Sequence, residues 1–281
     1  MVQNQAKVIK PSIIMEQNKQ NFTKSENKIY NYIMSNADQV IYHSLTEISE
    51  GCKVAEATVL RFFRKLGFKG FQDFKFSFAQ EVITESEAEA HHESTYIEKI
   101  KNSMVRAVED SYDVIDVEAL DAAISAIESS NDVVIFGVGS SGIAGMDMQN
   151  RLMRVGKNVG VVTDPHSQVM RASSMNETTV VIAISLTGST KDIIDSVKIA
   201  KDKAATIVVL TNYVKSPLTQ FADQVLLSSA KESPLNSGSL VAKITQLYLI
   251  DLICTGLTLR NFDEAEKMKM MITENTASKL Y

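Results

Sequence analysis

The spacing of apolar and polar positions changes character several times along the chain. Residues 1–21, rich in Gln, Asn and Lys, show little periodicity and are expected to form a mobile extension. From residue 22 the pattern is that of short helices. Thr23-Lys-Ser-Glu26 has the spacing of a capping box, and Ile29, Tyr32 and Ile33 follow at helical intervals. Residues 38–43 and 45–51 predict two more short helices, the second with Leu45, Ile48 and Cys52 on one side. A fourth is predicted over residues 55–66, where Val59, Phe62, Phe63 and Leu66 mark one face and Gly67 suits a C-cap. The aromatics at 71, 74, 76 and 78 fit an alternating strand or a helix, and the helical neighbours favour the helix. Residues 81–95 are acidic and poor in large apolar side chains, as expected of a linker, either irregular or helical in part.

Beyond residue 96 the pattern changes. Two helical stretches, 96–112 and 117–129, precede five short runs rich in Val and Ile: 132–136, 158–163, 179–185, 205–211 and 224–228. Helical stretches separate the first four. Continuous apolar runs alternating with helices predict a five-stranded parallel sheet covered by helices on both faces. The expected fold is thus an all-α N-terminal domain at 22–80 followed by an α/β domain at 96–281. Residues 238–259 predict a long helix, apolar nearly all round, which implies burial in a domain core or a subunit interface.

Composition narrows the class. Apolar residues are 44% and charged residues 22%, close to soluble globular averages, which argues against disorder and fibres. No uninterrupted apolar run approaches 18 residues, so no membrane contact is expected. The polar N-terminus lacks a secretory core. The two cysteines form no CxxC pair and the four histidines lack zinc spacing, so no metal is expected and a reducing cytoplasm is the simplest location. The net charge of −5 divides unevenly: residues 1–80 carry 11 Lys+Arg and 7 Asp+Glu, the remainder 18 and 27. A basic segment on an acidic body suits nucleic-acid binding through one end.

Two loops carry candidate chemistry. Gly137-Val-Gly139-Ser140-Ser141-Gly142 follows the first predicted strand, and Ser185-Leu-Thr187-Gly188-Ser189-Thr190 follows the third. The first satisfies GxGxxG, and Asp164 stands where a dinucleotide fold places its ribose-binding acid, so a nucleotide cofactor is one reading. Paired hydroxyls in both loops suit a terminal phosphate better, because its oxygens accept from many donors. In a sheet ordered 2-1-3-4-5 both loops face one crevice, at helix N-termini that favour anions.

Residues 132–229 resemble a SIS (sugar isomerase) domain through the motifs at 137–142 and 185–190. Residues 22–80 resemble the helix-turn-helix of the RpiR/MurR family of bacterial transcriptional regulators, through Glu56-Ala-Thr-Val-Leu-Arg-Phe-Phe-Arg-Lys-Leu-Gly-Phe-Lys-Gly-Phe71. The resemblance implies a non-catalytic regulator of sugar metabolism genes, binding double-stranded DNA as a homodimer or homotetramer and controlled by a sugar phosphate. The alternative is a sugar-phosphate isomerase with a helical extension. Ala55 stands where the family usually has an N-capping Ser, Leu186 and Thr187 fill the middle of the second loop, and Asn236 replaces a frequent Arg.

Ala57, Arg61 and Arg64 lie opposite the apolar stripe of the fourth helix, with Thr58 and Lys65 at its sides, Glu56 at its start and Lys69 after it. This set is expected to contact DNA, with Arg reading guanine edges or gripping phosphate. Ser140, Ser141, Ser185, Thr187, Ser189 and Thr190 are expected to hold the phosphate. Glu232 is expected near the sugar hydroxyls, and His166 near the phosphate or a sugar hydroxyl. Lys243, a cation on a largely apolar helix beside Ser239 and Gln246, needs an anion or water, and a phosphosugar would supply the anion. No cofactor is expected. The effector is expected to be a hexose phosphate, with the amino-sugar derivative N-acetylmannosamine 6-phosphate as candidate.

Overall fold

Residues 10–89, 95–229 and 240–279 are described in a computed structural model, with backbone alone for 83–89. The chain divides into two compact units, the first ending at Ile97 and the second beginning at Glu98.

The first unit is built of helices α1 (Pro11–Asn18), α2 (Lys24–Ser35), α3 (Ala37–Val40), α4 (Leu45–Cys52), α5 (Glu56–Lys65) and α6 (Phe71–Glu89). Reciprocal capping boxes start α2 at Thr23/Glu26 and α4 at Ser44/Glu47. Helix α4 ends with Lys53 N donating to Glu50 O and Val54 N to Ser49 O, a paired motif that places Lys53 at φ 54°. A similar pair ends α5, from Gly67 N to Arg64 O and Phe68 N to Phe63 O. Phe71, Phe74 and Phe78 are buried while Phe76 is exposed. That i, i+3, i+7 split settles the aromatic stretch as helical. The Phe63 and Phe74 rings stack at 4.2 Å, and the edge of Phe22 meets Phe62 at 5.1 Å. Such pairs add about 0.5–1.5 kcal/mol each beyond burial.

One sequence expectation needs correction here and another is narrowed. The segment 1–21 is not a mobile extension throughout: Pro11–Asn18 is a helix, with Met15 fully buried in the aromatic core. The Ser12 amide and hydroxyl both donate to the Glu81 carboxylate, the amide at 3.0 Å, so a residue of α6 satisfies the start of α1. Within the expected linker at 81–95 the partly helical alternative holds: α6 continues to Glu89, and α7 begins at Tyr96.

The second unit contains α7 (Tyr96–Asp113) from Glu98 onward, α8 (Val117–Ser129), β1 (Asp132–Phe136), α9 (Gly139–Met153), β2 (Val159–Val162), α10 (Pro165–Ser173), β3 (Thr179–Ile184), α11 (Lys191–Asp202), β4 (Thr206–Thr211), β5 (Gln224–Leu227), α12 (Leu240–Arg260) and α13 (Phe262–Thr276). All five strands are parallel, in the order β2-β1-β3-β4-β5. Alternate strand residues enter opposite cores: Ile135, Ile182 and Leu210 meet α8, α9 and α12, whereas Phe136, Val181 and Val209 meet α10 and α11.

Helix α12 is long and apolar enough to cross a membrane by length and composition alone. Its Leu249, Ile250, Ile253 and Leu257 instead pack into the core beside Ile124 and Met148. Of the two alternatives, a domain core or a subunit interface, burial in the domain core accounts for this face of the helix.

Candidate functional site

Because β1 and β3 are neighbours whose crossovers leave in opposite directions, their carboxyl ends flank the switch point of the sheet, where α/β folds take ligands. The loop after β1 is held close to its own helix. A Cβ at Gly137 would stand 2.9 Å from Ser141 O, and one at Gly142 2.8 Å from Thr163 Cγ2. Gly139 is different: its φ is +56° and nothing lies within 4 Å of an added Cβ, so its backbone borders open space. In the loop after β3, Gly188 has φ +57°, and an added Cβ would stand 2.1 Å from Ser216 Oγ. Thr211 and Asn212 brace the loop further by donating to Leu186 O at 3.1 and 3.0 Å.

The two loops feed two helices whose N-caps, Val138 and Thr190, make no side-chain capping hydrogen bond. The N-cap of α10 contrasts with them. Asp164 accepts from Ser167 N at 2.8 Å, and this bond holds its carboxyl below the usual aspartate range. The acid that a dinucleotide reading needs thus already caps its own helix. The starts of α9 and α11 are the ones free to face an anion.

The hydroxyls differ in state. Ser141 accepts from Gln246 Nε2 of α12 at 3.0 Å, which leaves its own proton available to donate. Ser185 is buried, with its Oγ 3.3 Å from Thr190 Oγ1. The Thr187 hydroxyl accepts from Ser189 N at 3.3 Å, and Ser189 Oγ donates to Thr187 O at 3.1 Å, so this pair shapes the loop internally. Ser140 is exposed at the first turn of α9. His166 is exposed at the start of α10, on the loop after β2, where its backbone amide and its charge help to lower the pKa of the Asp164 carboxyl. Lys243 is half-buried one turn before Gln246 on α12 and forms no ion pair among the described residues. Glu232 and Asn236 lie outside the described residues. Gln246 is the site residue that the sequence reading left out. Its place on one stripe with Lys243 was the available signal.

In the first unit, Ala57, Arg61, Arg64 and Lys69 are exposed, and Arg61 Nη2 donates to Thr58 Oγ1 at 3.3 Å. Two of the residues expected at DNA also have partners within the chain. Glu56 accepts from Thr46 Oγ1 at 2.6 Å and so fastens α5 to α4. Lys65 Nζ donates to Asn21 O at 3.2 Å and to the Glu26 carboxylate at 2.9 Å, fastening the far end of α5 to the start of α2. Burial raises the Glu26 carboxyl, but hydrogen bonds from Thr23 and Lys65 outweigh it and its pKa falls. Ala55 caps α5 with no side-chain bond. Burial pushes the thiols of Cys52 and Cys254 up, to about 11 and about 12, so both stay protonated near neutrality.

Comparison with known proteins places both units. Residues 11–85 match the helix-turn-helix domain of the rpiR family, and residues 126–256 match the SIS domain. An uncharacterized HTH-type transcriptional regulator of Clostridium perfringens is 35% identical over 259 residues, 89% of this chain and 93% of its own length. The HTH-type transcriptional regulator RpiR of Escherichia coli K12 is 25% identical over 261 residues, 91% of this chain and 88% of its own. Among solved structures, the NanR protein of Vibrio vulnificus complexed with ManNAc-6P superposes with a TM-score of 0.88 at 26% identity, covering 96% of this chain and 98% of that one. The helix-turn-helix, the parallel sheet with its two hydroxyl-lined loops, and relatives matched along nearly their whole length together make this chain a member of the RpiR family of HTH-type transcriptional regulators.

Proposed function

We propose that this regulator binds a hexose phosphate between the loops after β1 and β3 and that the bound effector alters its hold on operator DNA. The observation that carries the reading is the contrast among helix starts: α10 is capped by its own Asp164, whereas α9 and α11 begin uncapped beside Ser141, Ser185 and Thr190. A phosphate dianion would supply the missing acceptors. Each charge-assisted hydrogen bond there would contribute about 1.5–3 kcal/mol. Lys243 would offer the cation, and His166 and Glu232 would meet the sugar. Since NanR was solved with ManNAc-6P, N-acetylmannosamine 6-phosphate is the first candidate.

In this reading the SIS domain senses and does not catalyse, the chain works in the cytoplasm, and two copies present their α5 helices to two half-sites. Arg61 and Arg64 read or grip the DNA from α5, helped by Ala57, Thr58 and Lys69. The support for a sensor is that the relatives matching nearly the whole chain are regulators.

Calorimetry with a panel of hexose phosphates and their unphosphorylated sugars tests the reading. Binding should require the phosphate, and Ser185→Ala should weaken it about tenfold or more while operator affinity without effector stays near wild type. Equal affinity for a sugar and its phosphate would overturn the phosphate site. Turnover of the bound sugar phosphate would replace the sensor with an isomerase.

A further inference from the structure

The turn between α4 and α5 holds a lysine where the backbone suits glycine. Lys53 stands at φ 54°, in the left-handed region that a β-carbon disfavours. Its amide donates to Glu50 O and that of Val54 to Ser49 O, both at 2.9 Å, so the end of α4 fixes this conformation. Cys52 before it is buried and Val54 after it packs on the aromatic core, which leaves Lys53 exposed between them. A cation at a helix C-terminus gains from the helix dipole, but the whole last turn offers that gain without the strained backbone, and salt screens it. Among the described residues Ala204, at φ 62°, is the other non-glycine in this region, so strain alone marks no site.

Charge and place set Lys53 apart. It is the only Lys or Arg between Lys28 and Arg61, in a stretch that otherwise carries Glu47, Glu50 and Glu56. Its ammonium has no ion pair or hydrogen bond among the described residues. Lys65, by contrast, is engaged by Glu26 of its own chain. Beyond Lys53 the exposed residues are Ala55 and Ala57, then Arg61 and Arg64. Two free cations thus bracket an edge of methyl groups, low enough for a phosphate backbone to come close. In a helix-turn-helix the second helix enters the groove by its N-terminal end while the first crosses the backbone. The turn joining them passes the wall of phosphates, and contacts there set the register of the helix on the duplex. Lys53 is the one cation that the first helix and the turn can offer.

We propose that Lys53 grips a DNA phosphate at the wall of the groove that α5 enters, and that the strained end of α4 holds its ammonium there. The proposal rests on α5 being the reading helix and adds a contact ahead of it.

The test titrates the full chain, by fluorescence anisotropy, with a labelled duplex selected from random-sequence DNA on the wild-type protein. Each phosphate contact adds about 0.9 to the slope of log K against log salt, so the affinity lost in Lys53→Gln should grow about eightfold per contact for each tenfold dilution of salt. Lys53→Gly should show the same fall in slope while the melting temperature of the first unit rises, by about 4–8 °C for a domain of this size. A lysine with a purely structural role would move stability and affinity in the same direction. Lys53→Arg, which keeps the charge, should recover the slope. A wild-type slope in Lys53→Gln and Lys53→Gly, or a slope in Lys53→Arg as shallow as in Lys53→Gln, would overturn the contact. Arg61→Ala and Arg64→Ala, titrated beside them, separate the two readings. Unchanged affinity in both removes α5 from the groove, whereas a loss there with the slope of Lys53→Gln intact removes Lys53 alone.

Discussion

The two positive-φ glycines of the site loops should respond very differently to one added methyl group. At Gly188, alanine meets two costs. A non-glycine residue in the left-handed region costs about 1–2 kcal/mol. The new Cβ would also stand 2.1 Å from Ser216 Oγ and 2.6 Å from Ser216 Cβ. Ser216 is 1% exposed and cannot swing away freely, because its amide donates to Thr219 Oγ1 at 2.9 Å and its Oγ accepts from Thr219 N at 3.3 Å. Overpacking of that kind costs about 1–3 kcal/mol. Gly188→Ala should therefore destabilise the second unit by about 2–5 kcal/mol. Gly139→Ala, with a similar φ but open surroundings, should cost only the backbone share, about 1–2 kcal/mol. Its methyl group would occupy the space beside the α9 start, so hexose phosphate binding should suffer more than stability does. Urea unfolding followed by circular dichroism gives the two stabilities, and calorimetry gives the binding. Equal destabilisation by the two substitutions would refute the Ser216 contact as the source of the difference. Unchanged effector affinity in Gly139→Ala would remove that backbone from the site.

Further outcomes follow from the first unit. Lys53→Gly, which relieves a left-handed residue at the end of α4, should raise stability by about 1 kcal/mol in thermal unfolding. Arg61→Ala and Arg64→Ala should each weaken operator binding, by about 1–3 kcal/mol where the contact reads a base, in mobility-shift titration at physiological salt. Lys65→Met should chiefly lower stability, because its partners Glu26 and Asn21 belong to its own chain. Lys75 donates to His43 O at 2.9 Å from a buried position, and burial lowers its pKa to about 8. The unfolded chain then holds the Lys75 proton more tightly than the folded one between about pH 8 and 10.5, so this group makes stability rise with pH across that window. The rise should disappear in Lys75→Met, and an unchanged pH profile would show that Lys75 keeps its charge in the folded chain.

What the sequence made legible was local. The strands, the two hydroxyl loops and the α5 stripe follow from periodicity and from residues within a few positions of each other. What stayed hidden depends on distant partners. Helix α1 looked unstructured because its N-terminal acceptor, Glu81, lies 69 residues beyond Ser12. The bond from Lys65 to Glu26 joins residues 39 positions apart and left no local trace. Gln246 shares a helical stripe with Lys243, but its bond to Ser141 spans 105 residues, so the stripe alone did not show the partner. Helix α13, short of buried side chains apart from Ala265, offered too weak a pattern to be read.

The Lys65–Glu26 pair also bears on how ionic strength will govern operator release. Each cation that meets a phosphate frees condensed counterions and steepens the fall of log K against log salt by about 0.9. Counting every basic residue on and just after α5 would include Lys65, yet its charge is already neutralised from within. The salt slope for each α5 should therefore reflect Arg61, Arg64 and Lys69 without it, making operator binding less sensitive to intracellular ion concentration than the basic composition of the segment suggests.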